Sequence, residues 1–292
     1  MGSSPTSRPS PMSIAEASSS ITLHQKQYGQ GDPILCVHGL GANLFTWRHF
    51  TAPFSRSNKL ILVDLRGFGS SPKPYDTHYS IEEHANDIYQ IILREDLRRL
   101  TLIGNSLGGA IALLVAVRLC EQDPTRLSKL VLIDAGAYKE YLPGYLKLMR
   151  SFLGKLIVYL PPSKVAAKYV LRASYYDNSK ITEEQVRAYA EPIASKGGRH
   201  ALLQTARQCI PANSDEIIVK IKSITVPTLI LWGRYDGVIP LKVGELLVQD
   251  LPNSTLEVFE ECGHIPQEEK PEETIASISR FMNSLNQSKN SR

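Results

Sequence analysis

A serine at 106, an aspartate at 236 and a histidine at 264 each stand just after an aliphatic run, and together these residue types can transfer acyl groups. Ser106 lies in Leu100-Thr-Leu-Ile-Gly104-Asn-Ser106-Leu-Gly108-Gly-Ala110, which reads as a buried strand, a tight turn and the first turn of a helix. A strand that reverses into a helix within a few residues forces its tip residue to positive φ. Side chains two places before and after that tip would collide with neighbouring backbone, and glycine stands at both places. The strain lifts the Ser106 hydroxyl clear and aims the Leu107 amide at whatever the serine attacks. A serine hydroxyl is a weak nucleophile near neutral pH and needs a base. His264 can take its proton and return it to the leaving group, while Asp236 fixes the imidazole tautomer and stabilises the imidazolium.

The elements that would position these groups alternate along the chain. Ile21 to Tyr28 alternates apolar and polar residues, as an antiparallel edge strand does. Ile34-Leu-Cys-Val37, Leu60-Ile-Leu-Val63, Thr101-Leu-Ile103 and Leu130-Val-Leu-Ile133 are short aliphatic runs typical of strands covered on both faces. Between them lie a segment from Phe45 to Phe50, a helix over 81–95 with a Ser80/Glu83 capping box, and a small-residue helix after Ser106. Such alternation predicts a mostly parallel, doubly wound α/β sheet. Ligands of such sheets bind beyond the carboxyl ends of the strands, the rim on which His38, Asp64 and Ser106 all fall.

Residues 137–212 break the alternation. Leu146, Met149, Leu153, Leu156 and Leu160 line one face of a helix stopped by Pro161-Pro162, and helices follow over Val165–Ala173, Thr182–Glu191 and Arg199–Cys209. A helical insertion after a strand end would sit over the rim as a cap. The apolar face of its first helix, with Lys147, Arg150 and Lys155 opposite, is expected to line a pocket or pack on the core rather than lie on a membrane. Strand and helix resume with Thr225–Gly233, Asp236, a helix over 241–250, Thr255–Phe259 and His264, and a last helix runs from Pro271 to about Leu285.

The totals set bounds. The chain has 292 residues, 42% hydrophobic and 21% charged, with a formal charge of +4 and no dense basic run, so nucleic acid is not an expected partner. No apolar stretch is long enough to span a bilayer. Four scattered cysteines without C-x-x-C spacing fit a reducing, cytoplasmic compartment, with organelle targeting by residues 1–20 as the alternative. That Ser/Pro-rich leader has no apolar centre and is expected to be disordered, although Met1-Gly2 also fits a loose myristoylation pattern. The expected organisation is a leader (1–20), a core in two parts (21–136 and 213–285) around the cap (137–212), and a flexible tail (286–292).

His38-Gly-Leu40-Gly41, Asp64-x-Arg66-Gly67-x-Gly69-x-Ser71, Gly104-Asn-Ser106-Leu-Gly108-Gly109, Trp232-Gly-Arg-Tyr-Asp236 and Gly263-His264 resemble the corresponding segments of capped α/β-hydrolases, over roughly residues 21–285. The chain order Ser, acid, His is also that of this superfamily. The resemblance implies a helical cap inserted after the sixth strand and a Ser106-Asp236-His264 triad. It also implies an oxyanion site formed by the amides of Leu40 and Leu107. Some relatives place the acid after the strand that here ends in Asp134; the Trp-Gly-x-x-Asp context favours Asp236. His38, Asp64 and Arg66 then read as braces and His84 as structural. Serine at the elbow argues against epoxide hydrolase and haloalkane dehalogenase chemistry, which attack through a carboxylate. Neither a metal cluster nor a dinucleotide fingerprint is visible, so no cofactor is expected. The expected activity is hydrolysis of a small-molecule carboxylic ester. The alternatives are C–C bond hydrolysis, cofactor-free haloperoxidase or perhydrolase chemistry, and a ligand receptor without turnover. Oligomeric state is open.

Overall fold

A computed structural model of the chain describes residues 21–290, so the leader lies outside the described residues. The first part of the core runs β1 (Gln25–Tyr28), β2 (Asp32–Val37), a 3-10 segment (Leu44–Phe50), α1 (Thr51–Phe54), β3 (Asn58–Val63), α2 (Ile81–Arg94), β4 (Leu100–Asn105), α3 (Leu107–Gln122) and β5 (Leu127–Ile133). Five helices follow: α4 (Gly144–Arg150), α5 (Gly154–Tyr159), α6 (Ser163–Ser174), α7 (Glu183–Ala194) and α8 (Lys196–Gln208). The second part holds α9 (Ser214–Ile221), β6 (Thr228–Gly233), α10 (Lys242–Asp250), β7 (Ser254–Phe259), α11 (Pro266–Glu269) and α12 (Pro271–Asn290).

The strands form one seven-stranded sheet in the order β1-β3-β2-β4-β5-β6-β7. β1 pairs antiparallel with β3, and all other neighbours are parallel. Alternate residues of each central strand serve opposite faces, and both faces are buried. Leu35 and Val37 of β2 join Leu102, Leu132, Ile88 and Ile111 on one side. Ile34 and Cys36 join Ile103, Val131, Trp47, Phe50 and Ile278 on the other. Two-sided burial is why these strands read as continuous aliphatic runs. The strand order reverses between β2 and β4, whose ends are in register at Val37 and Gly104. A crevice opens at such a reversal, and the loops after β2 and β4 form its lips.

Several details differ from the sequence expectations. The cap follows the fifth of the described strands, not the sixth, because one antiparallel strand rather than two precedes β2. The expected single helix up to Pro161 is two helices. Ser151 takes ψ 174°, its hydroxyl donates to Leu148 O at 2.6 Å, and the same oxygen accepts from Leu153 N at 3.2 Å, which ends α4. The break turns the apolar stripe: Leu146 and Met149 stay buried, while Leu153, Leu156 and Leu160 face outward. Helix α9 was not anticipated; its Ile221 packs into the main core. Helix α12 meets no glycine or proline after Pro271 and continues to Asn290, through most of the expected tail.

Candidate active site

The turn after β4 has the strain expected of it. Ser106 adopts φ 56° and ψ −118°. Its amide donates to Ile133 O at 3.0 Å, and its carbonyl accepts from the amides of Gly109, Ala110 and Gly136 at 3.0 to 3.2 Å, so four backbone bonds hold the tip. A Cβ at Gly104 would lie 2.2 Å from Gly108 O, and one at Gly108 would lie 2.1 Å from Val37 O. No side chain fits at either place. Helix α3 therefore starts directly over the end of β2.

His264 follows β7 and Asp236 follows β6, and the side chains of both are buried. Nδ1 of His264 lies 2.7 Å from Asp236 Oδ2. The other oxygen of Asp236 accepts from the amides of Val238 and Ile239 at 2.7 and 2.9 Å. This carboxylate is thus held by three donors and fixes the ring so that Nε2 is the nitrogen left for chemistry. Asp134 follows β5 and stands beside the pair: one ligand atom each from Asp134, Asp236 and His264 lie within 4.8 Å of one another. Its Oδ1 accepts from Gly233 N at 3.0 Å, and its Oδ2 has no hydrogen-bond partner. Burial first, then the negative charge of Asp236, holds the Asp134 carboxyl well above the ordinary carboxylate range. It is therefore the neutral member of the pair. By donor type these three could hold a metal ion, but both Asp236 oxygens and His264 Nδ1 are already engaged.

The Ser106 hydroxyl and His264 line the same cavity, without a direct hydrogen bond between them. Such bonds are often long before substrate arrives. The amides of Leu40 and Leu107 have no partner among the described residues, and both residues border the space around Ser106. Two free N–H groups at that point can receive a developing oxyanion. The loop carrying Leu40 is braced from behind. His38 is buried; its Nδ1 faces Gly39 O at 2.8 Å, and its Nε2 accepts from Leu65 N at 3.0 Å. Accepting at Nε2 places the proton on Nδ1. Burial lowers the pKa of this ring, so it stays neutral and is no base for Ser106. Asp64 accepts from Leu44 N, Ser70 N and the His24 ring at 2.7 to 2.9 Å, and Arg66 pairs with Asp76 at 2.5 Å. His84 is buried, 3.3 Å from Thr205 Oγ1 of the cap, and burial drives its pKa to about 3. Each of these four ties loops or layers together, as their sequence context suggested.

Other contributors were missed. Asn105 Nδ2 donates to Ile133 O at 3.0 Å and to His264 O at 3.2 Å, linking the residue before Ser106 to the histidine. His264 N donates to Ser174 O, the end of α6, at 2.7 Å. Glu269 accepts from Gly263 N at 2.7 Å and from the amides of Tyr176 and Asp177 at 3.1 and 2.7 Å. Glu268 binds Arg48 at 2.5 Å, Thr46 at 2.7 Å and Gln185 at 3.1 Å, and also Tyr189. Nothing in the sequence singles out either glutamate, yet both are buried.

Two apolar cavities meet at Ser106. One, about 100 Å3, lies toward Ala110, Leu114, Ile217 and Val243. The other, about 130 Å3, lies toward His264, Met149, Val170 and Ile193. Tyr145 of α4 borders both. Burial raises its phenol pKa, so it presents a neutral hydroxyl. A third cavity of about 270 Å3 continues the second outward between α5 and α6.

A family model described as alpha/beta hydrolase fold matches residues 32–271. The chain is 30% identical over 271 residues to a 2-hydroxy-6-oxo-2,4-heptadienoate hydrolase of Pseudomonas putida, covering 90% of this chain and 93% of that protein. Among solved structures, a meta-cleavage product hydrolase from Pseudomonas fluorescens superposes with a TM-score of 0.76 at 24% identity, over 91% of this chain and 95% of that one. A thermophilic esterase from Thermogutta terrifontis gives 0.75 at 22% identity, over 90% and 94%. At these identities the two structures speak for the fold alone.

Proposed function

Because the chain belongs to the alpha/beta hydrolase fold family, we propose that it is a serine hydrolase acting on a small or medium apolar carboxylic ester. Ser106 attacks the carbonyl carbon as His264 Nε2 takes its proton, and the amides of Leu40 and Leu107 hold the oxyanion. His264 then protonates the leaving alcohol, and water hydrolyses the acyl-enzyme by the same steps. The observation that carries this reading is the convergence of Ser106 and the Asp236-oriented His264 on one apolar cavity. The leaving group must lie next to the ring that protonates it. The alcohol part therefore occupies the cavity lined by His264, and the acyl part the cavity toward Ala110 and Val243.

C–C bond hydrolysis is the second reading, favoured by the name of the Pseudomonas putida relative. A dienoate brings a carboxylate, which needs a cation or several donors. The cavity lined by His264 has neither lysine nor arginine, and Lys139 at the edge of the other is paired with Asp215 at 2.6 Å. The pocket chemistry thus supports a neutral substrate. Turnover of p-nitrophenyl esters against a 2-hydroxy-6-oxo-dienoate separates the two. Wild type should hydrolyse the esters and react covalently with a fluorophosphonate at residue 106, and Ser106→Ala should lose both. An unlabelled serine in folded protein, or a variant with more than a few per cent of activity, overturns the assignment.

A further inference from the structure

Apolar side chains gather on the outward side of the cap. Of the fourteen large hydrophobic side chains exposed among the described residues, ten fall between Leu148 and Tyr176. Phe152 is 89% exposed and Leu160 69%. Exposed apolar side chains concentrated in this way mark a surface that meets something else. The charge of the same stretch is one-sided. Residues 141–176 contain Lys147, Arg150, Lys155, Lys164, Lys168 and Arg172 and no acidic residue, in a chain with 33 basic and 29 acidic residues. Arg150 turns inward to Arg207 O at 2.6 Å. The other five are exposed and enter no ion pair among the described residues. The third cavity lies at this stretch: the exposed Val165 and Tyr169 line it, and Tyr145, Met149 and Val170 line both it and the cavity of His264.

We propose that this face of the cap docks on an anionic lipid bilayer, with Phe152, Leu156 and Leu160 among the acyl chains and the lysines at the headgroups. A bilayer is the partner that offers an apolar layer directly beneath an anionic one. Lysines on short amphipathic helices reach that boundary with their stems in the apolar zone. Among the described residues no helix is long and apolar enough to cross a membrane, so the contact is peripheral. Docking in this orientation sets the third cavity beside the lipid, and a lipophilic ester reaches Ser106 through that cavity and the one lined by His264 without crossing water. The sequence expectation of no membrane contact assumed that Leu153, Leu156 and Leu160 would be covered, and they are not.

Sedimentation of the full chain with large vesicles tests the proposal directly. Wild type should partition at least tenfold more strongly onto phosphatidylcholine vesicles containing phosphatidylserine than onto phosphatidylcholine alone, and molar salt should release it. Lys164→Glu with Lys168→Glu should weaken partition by about fivefold for each charge removed. Phe152→Ser, Leu156→Ser and Leu160→Ser combined should abolish it. Both variants should keep wild-type turnover of a short soluble ester, which also shows that they fold. Equal partition onto both vesicle types, or none onto either, overturns the proposal. So does a wild-type dimer that the triple serine variant makes monomeric, since a second copy would then cover the patch. Failure of serine labelling would sink the hydrolase reading and leave vesicle binding untouched.

Discussion

Two carboxyl groups share one buried corner beside His264, and their surroundings divide their roles. Asp236 has three donors for its charge; Asp134 has one amide and a burdensome neighbour. A neutral Asp134 cannot supply the charge that the imidazolium needs. Asp236→Asn should therefore lower kcat by ~10³–10⁴, since an amide can neither hold the tautomer nor stabilise the imidazolium. Asp134→Asn keeps a neutral acceptor for Gly233 N and should leave kcat within about tenfold. It should also raise stability at pH 7, because the aspartate must be neutralised on folding. Steady-state kinetics and urea denaturation of the two variants check both statements. A collapse of kcat in Asp134→Asn with Asp236→Asn spared would reverse the assignment.

Elements meet at the elbow with no room to spare. Gly108→Ala places a methyl 2.1 Å from the Val37 carbonyl, which must push α3 off β2. We expect a loss of about 3 kcal/mol or more, together with activity. Gly144→Ala, where a Cβ meets nothing within 4 Å, should be neutral or slightly stabilising. Thermal and urea unfolding of the pair give the comparison. The sheet was legible in sequence because two-sided burial leaves aliphatic runs, and the elbow because its spacing is steric. The residues of the proposed triad could be picked out because each follows such a run. What could not be read depends on contacts between distant segments. Asn105 matters through His264 O, 159 positions away, and Glu268 through Arg48, 220 positions away. The split between α4 and α5 turns on one serine's ψ, which no periodicity discloses.

At the scale of the whole molecule, two properties can be measured. The cavity proposed for the acyl group is bordered by Ala110, which the other cavity does not touch. Ala110→Leu should cut kcat/KM on esters with long acyl chains at least tenfold while sparing esters with long alcohols; the reverse pattern would exchange the two assignments. Stability should also depend on pH. Folded His84 resists protonation until about pH 3, whereas the unfolded ring takes its proton near 6.5. Its contribution is complete above 6.5 and is lost as pH falls between those values, about 2 kcal/mol by pH 5. His38, also lowered, acts in the same direction, and Asp134, raised, acts in the opposite one. The raised carboxyls of Asp134 and Asp87 offset this loss in the total, so the histidine's share is read as a difference: in urea denaturation at pH 7 and pH 5, His84→Gln should gain about 2 kcal/mol on wild type between the two values. One backbone bond limits how the cap can move: His264 N is held by Ser174 O at the close of α6. A hinge there would drag the imidazole away from its serine as the roof rose. Any opening that leaves the imidazole in place must therefore spare the end of α6.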